Sequence, residues 1–220
     1  MLSVLALAAP ALADDEPGAE PKLITPTGKP PPPSEVIDRS FSHQGQFELS
    51  LRFAVGLRTI APYSDTVYCG ASDKTTSTGN APVCTGRSPF SVDLELGFGV
   101  ARHIDAFVEL RLGLEHDFGA DASSQGPRML HVSPGARVFF SEAFHSKLFS
   151  TGQLVFDFAD YPDGSGKGRG ADFGLRNLNG LWFDLHHNYG LYAFAGETAT
   201  FVRWLRFELE AGIGIQGRYR

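Results

Sequence analysis

Long apolar runs are missing from this 220-residue chain: beyond its first residues nothing approaches the 18 or more consecutive apolar positions that a membrane-crossing helix needs. If the chain crosses a bilayer, it must do so as strands. Basic charge is also short, with 19 Lys and Arg against 25 Asp and Glu, and the cations are scattered singly, which excludes a nucleic-acid binding field. Cysteine is limited to Cys69 and Cys84, with no neighbouring His or further Cys to complete a metal site. A disulfide between them suits an oxidising compartment, where closing a loop of roughly 15 residues contributes about 3 kcal/mol. The stretch Gly164-Ser165-Gly166-Lys167-Gly168 lacks the spacing and the following Ser or Thr of a phosphate-binding loop. What is plentiful is glycine, at 25 residues, and phenylalanine, at 18, a pairing that suits tight turns and aromatic-rich strands, so the expected class is all-β.

Residues 1–13 form a short apolar segment closed by Ala11-Leu12-Ala13, which reads as an export signal without the usual basic start. Residues 14–45 are polar and proline-rich around Pro30-Pro31-Pro32-Pro33, the composition of an extended periplasmic tail. From residue 46 to 220 the pattern becomes alternation. Phe47, Leu49, Leu51, Phe53, Val55 and Leu57 interleave with Glu48, Ser50, Arg52, Ala54, Gly56 and Arg58. Similar two-faced strands start near Phe90, Ile104 and Leu130, the last weakened by Pro134, and another starts near Leu205. Strands near 147–158, 173–184 and 191–198 alternate less cleanly, bringing the count to about eight. Short connections near Arg102, Ser141 and His187 alternate with long ones, except that the last long-side connection, near Thr200, is short, as in an up-and-down meander whose rims face different compartments.

Alternation alone does not say which face points outward, since a soluble barrel has the same period. The residue types decide. Glycines at 56, 97, 99, 113, 135, 212 and 214 lie on the polar face, where a narrow lumen is crowded, and the other face is nearly all Leu, Val, Ile and Phe, which suits acyl chains. A closed antiparallel up-and-down transmembrane barrel of about eight strands follows, because hydrocarbon leaves no partner for an open edge. Trp182, Tyr189, Tyr192, Phe201, Trp204 and Tyr219 are candidates either for interfacial aromatics or for ordinary strand packing. The alternation, the leading segment and the last strand, Leu209 to Tyr219, together resemble the small eight-stranded outer-membrane barrel superfamily that includes OmpX, OmpW and the membrane domain of OmpA. That resemblance implies residence in the bacterial outer membrane, contact with lipid and lipopolysaccharide, insertion by the barrel-assembly machinery, and a monomer.

The inward face carries Glu48, Asp93, Glu95, Glu109, Glu208 and Glu210 against Arg52, Arg111, Arg137 and Arg206, with Glu115 and Arg58 on the same face. Charges of both signs in a narrow lumen are expected to pair into a network that fills it, with a narrow pathway for ions or small solutes as the rival reading. His131-Val132-Ser133 resembles the His and Ser spacing of the lipid A 3-O-deacylase family, but Pro134 stands where that family has Asn, and Glu142 is a poor third member. The favoured reading is therefore not an enzyme, with a lipid A-modifying enzyme as the alternative. His43, His103, His145, His186 and His187 fall near one rim without ligand spacing, so solvated turn histidines are expected, with no metal and no cofactor.

Overall fold

A strand that is apolar on one side and polar on the other must give its two sides to different surroundings. Eight such strands do so here by closing into a ring. The computed structural model describes residues 42–61, 83–116, 128–140, 145–159 and 171–220. Its strands are β1 (Phe47–Ala61), β2 (Cys84–Ala101), β3 (Ile104–His116), β4 (Arg128–Phe139), β5 (Ser146–Asp157), β6 (Asp172–His186), β7 (Tyr189–Thr200) and β8 (Leu205–Tyr219). Each pairs antiparallel with its neighbours in chain order, and β1 meets β8 in unbroken register from Phe47↔Tyr219 to Ala61↔Leu205, so no edge is left open. The expected eight-stranded up-and-down barrel is the fold observed. The strands are 12 to 18 residues long, and several run past the alternating stretches read from the sequence because pairing continues at the rims. The expected export signal, most of the tail, Cys69 and the side chain of Cys84 lie outside the described residues, and the disulfide with them.

Which way the faces point is unambiguous: Ile213 is 64 % exposed on the outside, whereas Arg52 is fully buried on the inside. Outside is apolar and inside is charged over β1, β2, β3 and β8, as the alternation predicts. On the other wall the interior changes character. Phe139 of β4, Phe149 of β5, Leu178 and Trp182 of β6, and Tyr192 and Phe194 of β7 form one buried cluster within the lumen. Trp182, Tyr192 and Trp204 are therefore interior residues, and the interfacial role fits only Tyr189, Phe201 and Tyr219, which are exposed.

The aromatic wall sets how much space the neighbouring strand β8 can take. Trp182 and Tyr192 stack at 4.6 Å, and a β-carbon built on Gly214 would lie 2.4 Å from Cζ of Tyr192. Gly214→Val is expected to destabilise the barrel by about 1–3 kcal/mol by overpacking. A second change, Tyr192→Ala, should recover part of that loss in urea unfolding from detergent, since it removes the colliding ring.

One further segment enters the lumen. Gly45 adopts φ +75°, a left-handed conformation that a side chain would strain, and its N–H donates to the carbonyl of Gly99 at 2.8 Å. Gly99 returns a bond to the carbonyl of Gln46 at 2.9 Å. This turn carries His43 into the end of the barrel, where it is 1 % exposed, so the expectation of a solvated rim histidine is corrected for His43. His103, His145, His186 and His187 are exposed. A buried position without helical or strand periodicity gives no pattern to read.

Candidate functional site

The centre of the lumen is an ionic network anchored on alternate inward positions of several strands. Arg111 of β3 grips its cross-strand neighbour Asp93 with Nε to Oδ1 at 2.8 Å and Nη2 to Oδ2 at 3.1 Å, and also bonds Glu210 of β8. Arg137 of β4 donates Nη2 to both oxygens of Glu95, at 2.6 and 2.7 Å. Arg52 of β1 pairs with Glu109 and lies 3.5 Å from Glu95 Oε2. Arg176 of β6 crosses the bore: Nε donates to Glu210 Oε1 at 2.5 Å, Nη2 to Asp93 Oδ2 at 3.3 Å, and Nη1 to Glu109. Three carboxylates from three other strands thus converge on one guanidinium. The fixed fork of donors is what allows it, and lysine has no equivalent.

Both ends of the network are closed by smaller clusters. Towards the end bearing the long connections, Glu208 accepts from Arg58 Nε at 3.3 Å and from Ser88 Oγ at 2.6 Å, and Asp157 accepts from Arg206 Nη1 at 2.8 Å. Towards the other end, Asp184 lies 2.6 Å from Lys147 Nζ and 2.6 Å from Arg218 Nη2, and accepts from Trp182 Nε1 at 3.0 Å. His43 sits beside it, with Nδ1 3.1 Å from Glu48 Oε1 and 3.0 Å from Asp105 Oδ2. These three offer ligand-type atoms within 4.8 Å of one another. A ring nitrogen between two carboxylates, with Arg137 Nη1 at 3.7 and 3.8 Å from the same pair, is the arrangement of an imidazolium ion pair. Burial by itself lowers the His43 pKa, but polar contacts with Asp105, Asp184 and Glu48 and the charge of Asp105 outweigh it and push the value up to about 9.

Charge balance supports this reading. Among the described residues, nine Arg and Lys and ten Asp and Glu are buried, so a protonated His43 brings the interior to neutrality.

All ten charged residues named above as inward-facing are buried in the lumen, Arg58 with them. Glu115 is not: it pairs with Arg87 at 2.6 Å on the rim, with both side chains partly exposed. Sequence reading missed Arg176, Asp157, Asp184, Lys147 and Arg218 as network members. The signal for Arg176 was the inward series Asp172, Gly174, Arg176, but Leu178 and Trp182 continue it with apolar residues and hide the period.

His131 and Ser133 are both buried inward, away from lipid. Nε2 of His131 lies 3.5 Å from Asp157 Oδ2 and 3.4 Å from Arg206 Nη2, and the Ser133 hydroxyl has no hydrogen-bond partner among the described residues. The imidazole is thus engaged with the ionic cluster and is not positioned as a base for the serine. The lipid A-modifying alternative finds no support in this geometry.

No family model and no curated protein matches the chain. Solved structures do. The Neisserial surface protein A is 16 % identical, with a TM-score of 0.52 over 80 % of this chain and 100 % of its own. The N-terminal β-barrel domain of Pseudomonas aeruginosa OprF is 12 % identical, with a TM-score of 0.51 over 80 % of this chain and 98 % of its own. At such identities the likeness is one of fold. The chain has the fold of the small eight-stranded outer-membrane barrels.

Proposed function

We propose that this protein resides in the bacterial outer membrane as a non-enzymatic barrel with a closed bore, and that it acts through the loops it holds outside. The observation that carries the reading is the occupied lumen: Arg176 bridges carboxylates on three strands, and Phe139, Phe149, Trp182 and Tyr192 fill the adjoining wall. An outer surface of Leu, Val, Ile and Phe is solvated by acyl chains and lipopolysaccharide, and insertion of such strands calls for the barrel-assembly machinery. A rigid ring with a filled interior is a platform. The segment between β1 and β2, which holds Cys69, is the longest of its outward connections and the natural contact element, stapled by a Cys69 to Cys84 disulfide.

Planar-bilayer recording tests the closed bore directly. Purified protein is expected to show no steady open level. A large, stable conductance from the unmodified chain would instead establish a solute pathway through the lumen.

A further inference from the structure

The lipid-facing surface is not uniform. On β1, β2, β3, β4 and β8 its mid-strand positions are apolar or small, but across β5 to β7 it is polar at the same depth. Ser150 of β5 pairs with Asn179 of β6, and Asn179 with Ala195 of β7; one rung along, Gly152 pairs with Asn177, and Asn177 with Glu197. All point outward, with Asn179 and Glu197 exposed. Aromatics on the same strand face bracket these positions. Phe173 lies four residues from Asn177 in one direction and Phe183 four residues from Asn179 in the other, roughly 13 Å of strand on each side. Phe173 packs with Phe156 and Phe201 at its end. The two asparagines therefore lie inside the apolar band, with Phe173 and Leu175 to one side and Leu181, Phe183 and Leu185 to the other.

The barrel satisfies these groups only in part. Asn177 Nδ2 donates to the carbonyl of Thr151 at 2.8 Å, and its Oδ1 accepts from Asn179 Nδ2 at 2.6 Å. The Asn179 side-chain oxygen and the Glu197 carboxyl have no partner among the described residues. In hydrocarbon a polar or ionisable side chain is costly, and such residues almost always face protein or a cavity instead of acyl chains.

We propose that the β5–β7 face is an interface within the membrane, and that its occupant is a second copy of this chain, in place of the monomer that the resemblance to the small barrels implies. The inference rests on the outer-membrane reading above. The argument for self-association is symmetry. Both copies are inserted in the same direction, so a two-fold axis along the bilayer normal keeps every residue at its own depth. Asn179 and Glu197 then meet a surface that carries amide donors and acceptors at the level where they are needed. Any other protein would need a polar row of its own at that depth, whereas a second copy always has one. The outward Gly152, Ala193 and Ala195 present little side chain between the approaching walls and allow the amides to touch.

The test uses the full-length protein, donor- and acceptor-labelled, in phosphatidylcholine vesicles, with energy transfer followed as lipid dilutes protein. The wild type is expected to associate, the triple variant Asn177→Leu/Asn179→Leu/Glu197→Leu to lose at least tenfold in association, and Glu197→Gln to keep it. Heat-modifiable gel migration of each sample reports separately whether the membrane barrel is intact. Wild-type protein that stays monomeric at every dilution would overturn the proposal, as would a triple variant that associates equally well. Association only with a different outer-membrane protein, captured through the same face, would also overturn it. Protein that never enters vesicles would instead remove the outer-membrane reading on which the inference stands.

Discussion

Arg176→Leu is expected to cost the barrel about 3–5 kcal/mol, read as a lowered urea midpoint in detergent, because one change strips three buried carboxylates of a shared cation. Asp93, Glu109 and Glu210 would each keep some partner, Asp93 and Glu210 through Arg111 and Glu109 through Arg52, but their charge would be under-compensated. Arg176→Lys should be intermediate, since an ammonium can hold a point contact but not three directions at once. The same leucine variant carries an electrical signature. With a bridging guanidinium gone and acidic groups exposed along the bore, any leak that opens in bilayer recordings should select for cations. A variant as stable as wild type and equally silent would mean that Arg176 is a passenger in a lumen held by packing alone.

Alkaline pH should weaken the barrel through His43. Its pKa is raised in the folded state, from 6.5 to about 9, so its contribution is fully present below the unfolded value and is lost as pH rises through about 9. A shift of this size corresponds to something on the order of 3 kcal/mol at its largest. The groups facing the imidazole are Glu48 of β1, Asp105 of β3 and Asp184 of β6, with Arg137, Lys147 and Arg218 behind them and the rings of Phe139 and Trp182 at its edges. Unfolding midpoints measured from pH 6 to 10 should fall for the wild type, with most of the fall above neutrality, and should be nearly flat for His43→Gln over the same range. Equal slopes in the two proteins would assign the effect to other groups.

The architecture was legible in the sequence wherever a strand separates its faces cleanly. β1, β2, β3 and β8 do so, and their lipid and lumen faces are where alternation puts them. β5, β6 and β7 were hard to register for a physical reason. Phe149, Leu178, Trp182, Tyr192 and Phe194 point inward there, while Ser150, Asn177, Asn179 and Glu197 point outward, so at these mid-strand positions hydropathy and direction run opposite to the rest of the ring. A period read from hydropathy assigns such strands to the wrong side or to none. His43 was illegible for a different cause: its burial comes from one turn at Gly45 and from partners 62 and 141 positions away, which no local window contains.

The unbroken seam between β1 and β8 makes the wall cyclic in all but its covalent bonds. Once closed, such a wall has neither a first stave nor a last one, and each stave is held by two others. The place where the polypeptide happens to be cut then matters to the order in which staves are laid down, and not to which staves end up side by side.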